Sequence, residues 1–228
     1  MRTTPLVFSA LIVCSAVAQA QTPSPRYIRA FGEGVVSVKP DLARVQFSVV
    51  TQAPNASDAA NQNATQVNTV LTALRSLLGP SADIHTLSYS LTANYSFPQN
   101  SQPVLTGYTA NNTVEVVLSD LSLIGRVIDT GVQAGANRVQ GLQFTVKDEQ
   151  PARTQALRLA TAQAKTHAEA MAAGVSVRVG APISIEEGTS VRPFNTDLRA
   201  ATSAATTPIE TGVVEVRANV TLQLEILP

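Results

Sequence analysis

Residues 214–226 alternate without a break. Val214, Val216, Ala218, Val220, Leu222, Leu224 and Ile226 are apolar, and Glu215, Arg217, Asn219, Thr221, Gln223 and Glu225 between them are polar. A period of two held this long describes a β-strand with one face on a core and the other in water. Such a strand needs partner strands for its backbone groups and a covering layer for its apolar face. The chain must therefore build a half-wetted sheet, as antiparallel sheets allow.

A second strand of this kind spans 42–52, with Ala43, Val45, Phe47 and Val49 on one face and Arg44, Gln46 and Ser48 on the other. Before it, Val36 and Val38 share a face of a strand that stops at the turn signal Lys39-Pro40-Asp41. Helical spacing then predicts a helix over 57–78, its apolar stripe formed by Ala60, Ala64, Val67, Val70, Leu71, Leu74, Leu77 and Leu78. Asn55 or Ser57 can cap its start, and Gly79-Pro80 ends it. Two overlong strands follow over 83–97 and 104–118, the first carrying Leu87, Tyr89, Leu91, Tyr95 and Phe97 on one face. At about 3.3 Å per residue each reaches roughly 50 Å, more than a compact domain of this size requires. The distal half is read as an arm extending past the domain; the alternative is a strongly bent or bulged hairpin.

Asp120 opens a shorter helix, with Leu121, Ile124, Val127, Ile128 and Val132 inward, and a strand over 137–148 follows, kinked at Gly141. The third helix, over 151–173, holds an alanine at every fourth place: Ala152, Ala156, Ala160, Ala164, Ala168 and Ala172. A ridge without bulk lets a helix approach a sheet closely, and alanine's propensity favours the helix itself. Leu157, Leu159 and Met171 supply its larger contacts. A strand over 182–186 precedes the terminal one. The predicted class is α+β: antiparallel sheets packed by about three helices, with a long protruding β-hairpin.

At the start of the chain, Met1-Arg2, an apolar run over 5–17 and Ala18-Gln19-Ala20 have the layout of a secretory signal peptide cleaved after residue 20. The run is too short for a transmembrane span. Cys14, the one cysteine, lies inside it, so the expected mature chain has no thiol for disulfide, metal or nucleophilic chemistry. Lipid attachment at Cys14 would require a small residue before it, where Val13 stands. Residues 21–26 read as a flexible leader and 27–228 as one domain, or two subdomains. Residues 188–209, rich in Ser, Thr, Ala and Pro, read as a mobile loop. The predicted location is periplasmic, with possible outer-membrane association.

Charge and composition exclude some partners. Sixteen basic residues balance sixteen acidic ones, aromatics make up 4 % and tryptophan is absent. Neither a nucleic-acid surface nor a base-stacking platform is expected. A porin-like barrel is also disfavoured, because barrels repeat short strands with aromatic girdles.

The residues offer little chemistry. His85 starts an extended strand with Asp83 on the same face, and His167 sits on the alanine-rich helix; neither has HxxxH or HExxH spacing. No GxSxG or SxxK pattern occurs. Gly32-Glu33-Gly34 lacks a third glycine and a following helix, so turn or bulge glycines are expected. Asp148-Glu149 and Glu186-Glu187 are neighbours that point apart on a strand or complement a helix start. Five Asn-x-Ser/Thr triplets, at Asn55, Asn63, Asn94, Asn111 and Asn219, are expected from so polar a composition. No catalytic, cofactor-binding or metal-ligating residue is assigned, and no cofactor is expected.

Four blocks together resemble the bacterial SIMPL-domain family: Gly32-Glu33-Gly34 with Val36, Val38, Pro40-Asp41 and Ala43; Gly107-Tyr108-Thr109-Ala110 with Asn112-Thr113-Val114, Asp120-Leu121 and Gly135-Ala136-Asn137; Ala152-Arg153 with Ala156-Leu157; and Thr207-Pro208-Ile209-Glu210. Gly212 stands where relatives often carry proline. The resemblance implies an exported, periplasmic or envelope-associated α+β protein. It includes envelope antigens and proteins linked to oxidative-stress defence. It also implies a homo-oligomer assembled through extended strands. An envelope hydrolase with a site between subunits and a ligand-binding module using loop 188–209 are the alternatives.

Overall fold

The computed structural model describes residues 26–99, 102–188, 194–195 and 207–228. The predicted signal peptide, the leader apart from Arg26, and most of the 188–209 loop lie outside the described residues. The elements are β1 (Tyr27–Val38), β2 (Leu42–Ala53), α1 (Ala56–Leu78), β3 (Asp83–Ser96), β4 (Val104–Leu118), α2 (Ile124–Gln133), β5 (Arg138–Thr145), α3 (Gln150–Gly174), β6 (Arg178–Gly188), β7 (Phe194–Asn195) and β8 (Val214–Leu227). They form two antiparallel sheets. The first has the order β1-β8-β6, with β7 also paired to β8, and the second has the order β3-β4-β2-β5. This is the expected α+β class.

The alanine ladder and the glycine pair explain each other. The six alanines of the α3 ladder are buried, none more than 7 % exposed, and Ala152, Ala156, Ala160, Ala164 and Ala168 pack against the first sheet. Gly32 and Gly34 lie in the middle of β1, not at a turn or bulge, and correct the sequence expectation. A Cβ on Gly32 would overlap the carbonyl oxygen of Ala160, and one on Gly34 that of Ala156. Glycine is there because helix backbone lies directly on strand backbone. A four-residue ridge winds around its helix, and a sheet that twists beneath it keeps all six alanines covered. Leu157 packs against this core, whereas Leu159 and Met171 are exposed, contrary to expectation.

The second sheet is packed by bulk. Val45, Phe47 and Val49 of β2 meet Val67, Val70 and Leu74 of α1, Val114 and Val116 of β4, and Ile124 and Val127 of α2. The buried stripe of α1 begins at Ala59 and Asn63, one position from the predicted Ala60 and Ala64. Asn63 takes a core place because its Nδ2 donates to the carbonyls of Val49 (2.8 Å) and Ala110 (3.3 Å). Asn55 stands at the N-cap in extended conformation, but its side chain bonds Asp58 rather than the backbone. Asp120 accepts from the Ser122 amide (3.0 Å) and leads into a 3₁₀ turn, Leu121–Leu123, ahead of α2. Val132, predicted inward, is exposed. The β2–β5 register shifts next to Gly141, close to the predicted kink.

The hairpin is bulged and its end protrudes. Leu87 is an extra residue in β3 and Thr106 one in β4. Strand β2 accompanies β4 only as far as the Ala53–Tyr108 pair. Beyond that point β3 and β4 run on as a two-stranded ribbon, closing with Ser96 opposite Val104. Gly107 marks the departure: its φ is +143°, and a Cβ would stand 2.8 Å from the Ala53 carbonyl oxygen.

Candidate functional site

Helices α1 and α2 cover one face of the second sheet; among the described residues no helix packs across the other. The alternation that sends Val45, Phe47 and Val49 under α1 sends Arg44, Gln46 and Ser48 to this open face, where β4 adds Glu115 and Thr113 as their direct neighbours. Instead of standing wet, these groups bury one another. Ser48, Thr113 and Glu115 are all buried, Glu115 only 4 % exposed.

Glu115 is the hub. Its Oε1 accepts from Arg44 Nη1 at 2.8 Å and its Oε2 from Gln46 Nε2 at 3.0 Å. Across the β3–β4 pair, His85 Nε2 stands 3.2 Å from Oε1, and His85 Nδ1 stands 3.4 Å from Asp83 Oδ1. A singly protonated imidazole can donate to one of these carboxylates; the imidazolium donates to both. Burial alone would raise the Glu115 carboxyl, but the Gln46 and Arg44 hydrogen bonds and the Arg44 and His85 charges outweigh it and hold it below its ordinary value. Glu115 is therefore an ionised acceptor rather than a proton donor.

A second network adjoins it. Ser48 Oγ donates to Asn111 Oδ1 (2.8 Å), meets Thr113 Oγ1 at 2.9 Å and accepts from Gln140 Nε2 (3.0 Å). None of these partners is a base that could activate the hydroxyl. At the end of the face an open cleft of 680 Å³ is lined by Arg44, Asp83, Ser119, Thr145, Lys147 and Glu149, among others.

The two histidines do not meet. His167 lies on α3 and its Nδ1–H donates to the Phe31 carbonyl at 2.8 Å. The carboxylate neighbours are structural: Asp148 accepts from the Gln150 amide at the start of α3 (3.0 Å), and Glu187 pairs with Arg153. No group of three or more His, Cys, Asp or Glu among the described residues is arranged to hold a metal. No helix among them is long and apolar enough to cross a membrane.

Sequence reasoning paired His85 with Asp83 correctly and missed Glu115. The signal was present in the alternation Thr113-Val114-Glu115-Val116, which puts Glu115 on the polar face of β4. Only the β3–β4 register, with its bulge at Leu87, brings it opposite His85.

The profile of the SIMPL family, described as a protein of unknown function, matches residues 28–224. The chain belongs to the SIMPL family. Among its SIMPL relatives, the 26 kDa periplasmic immunogenic protein of Brucella melitensis is 29 % identical over 164 residues, covering 68 % of this chain and 65 % of that protein. The chain thus spans just under two thirds of the Brucella relative's length. The uncharacterized protein YggE of Edwardsiella ictaluri is 25 % identical over 189 residues, 81 % of this chain and 79 % of the relative. YggE of Escherichia coli is 25 % identical over 174 residues, 76 % and 70 % of the two chains. The match to the profile runs through both sheets, from β1 to β8.

Proposed function

We propose that this SIMPL protein is a non-enzymatic periplasmic scaffold that self-associates through its β3–β4 hairpin and helps the envelope tolerate stress, including oxidative stress. The periplasmic location rests on the names of the Brucella relatives. One observation carries the assembly. Strand β3 is an edge strand of 14 residues whose Leu87, Tyr89 and Leu91 are 42–52 % exposed, and Tyr95, its cross-strand partner Leu105 and Phe97 extend the apolar row to the ribbon's end. A long, exposed, apolar edge is a template for another strand, and monomers normally blunt such edges. A second copy covering this row would bury it and continue the sheet.

Sedimentation velocity of the exported protein tests this. The expected result is a concentration-dependent oligomer that Tyr89→Lys with Leu91→Lys shifts toward monomer while helical circular dichroism is unchanged. A monomer at high micromolar concentration overturns the assembly. A deletion strain with normal growth under peroxide overturns the physiological part.

A hydrolase with a site completed by a neighbouring subunit is the second reading. It is favoured by the place of His85, part-exposed between two carboxylates on the strand that a second copy would join. Turnover of ester, phosphate or glycoside substrates that disappears in His85→Ala would establish it.

A further inference from the structure

The β1 edge of the first sheet is occupied at its middle by two side chains of the helix packed on it. Strand β1 pairs with β8 on one side only. The Arg26 carbonyl accepts from the Ile226 amide, so even-numbered backbone groups point toward β8. Those of Tyr27, Arg29, Phe31, Glu33, Val35 and Ser37 therefore point to the open side. Tyr27, Phe31 and Val35 are also exposed. The row has what a pairing edge needs, yet its middle is occupied. The Glu33 amide donates to Gln163 Oε1 at 2.6 Å, and the Phe31 carbonyl accepts from His167 Nδ1–H at 2.8 Å. Gln163 and His167 are four residues apart, one turn of α3, and reach over the edge together. They can do so because Gly32 and Gly34 let the helix backbone lie on the strand.

We infer that Gln163 and His167 form a guard that blocks pairing of β1 with a second copy of this chain, while the apolar edge of β3 carries no such guard. The donor and the acceptor that an incoming strand would use at the centre of β1 are already engaged. Among the described residues no side chain of another element engages the outer backbone of β3 in this way. The choice of β3 rests on the function proposed above; the guard itself does not.

The test is a square of four proteins: native, Tyr89→Lys with Leu91→Lys, Gln163→Ala with His167→Ala, and all four changes together. Alanine keeps the propensity of α3. Sedimentation velocity of the four-change protein is expected to show association at about tenfold lower concentration than the lysine pair alone, the order expected when two backbone hydrogen bonds become available between copies. Hydrogen exchange at the Glu33 amide reads the guard directly: slow in the native protein, fast in dilute guard-free protein, and slow again when that protein is concentrated. Unchanged association with intact helical dichroism overturns the guard, as does an equally slow Glu33 amide without Gln163. Should the alanine pair unfold, Gln163→Met keeps the bulk, removes the acceptor and carries the same two readouts. Failure of the lysine pair to alter the native oligomer would overturn the β3 interface and leave the guard result readable.

Discussion

The two sheets solve the same packing problem in opposite ways. The first lays α3 on β1 and β8 through the alanine ladder, with strand and helix backbones nearly touching at Gly32 and Gly34 and Val220, Leu222 and Leu224 of β8 beside them. The second holds α1 and α2 off its surface with Phe47, Leu74, Ile124 and a bed of valines. Close backbone approach leaves no room for a larger side chain, while a core of large side chains leaves a hole when one is shortened. The edges differ in the same sense: the close helix reaches β1 with two side chains, and the distant one leaves β3 bare. How near a helix lies thus decides which substitutions a sheet tolerates and whether its side chains can reach the strand edge beside it.

Truncation of the second core should be the most damaging change. Phe47→Ala is expected to cost about 4 kcal/mol in urea unfolding, since the ring is fully buried and fills the space against Gly131 of α2. Enlargement of the first core comes next. Ala160→Leu is expected to cost about 3 kcal/mol, because Ala160 is fully buried and its backbone lies directly against Gly32 and Gly34, leaving no gap for added bulk. If the leucine were accommodated within the error of the measurement, the contrast between the sheets would be broken.

The open-face network should contribute less. Glu115→Gln is expected to cost about 1 kcal/mol at neutral pH, because Arg44 is part-exposed and water competes for it. The sign of its pH dependence follows from the lowered carboxyl. The folded group titrates below its ordinary 4.5, so its stabilisation is fully present above that value and is lost as the pH falls through the lowered one. Thermal unfolding of the two proteins should therefore converge in acid; a gap that widened there would contradict an ionised hub. Removing Gln163 and His167 should cost least, under about 1 kcal/mol, because both bonds are exposed and water replaces them in the isolated chain. Its larger signature is in association.

Much of the fold was legible because period two and period four are strong signals. The terminal strand lies where the alternation of Val214 to Ile226 puts it, and the alanine ladder is buried along its whole length. What stayed illegible depends on which elements touch. Gly32 and Gly34 look like turn residues in isolation and are close-approach residues only once α3 is laid on them. Asn63 looks like a polar interruption of α1 until the carbonyls of Val49 and Ala110 are found beneath it. The apolar row of β3 has the alternation of a buried face but lies at an edge, which alternation alone does not encode. Of the candidate site, the His85–Asp83 pair was readable from spacing, whereas Glu115 joins it through a register that a bulge resets.

The pairing of β1 with β8 sets the order in which the molecule can be completed. Residue 27 is aligned with residue 225, so the first strand made waits for the last. During synthesis β2 to β5 can find one another along the chain, while the glycine-bearing strand has neither its neighbour nor a settled helix above it. Closing so distant a contact is entropically costly and slow. Loss of the final fourteen-residue strand would therefore strand both β1 and β6 without a partner, and a C-terminal truncation would be felt at the opposite end of the sequence.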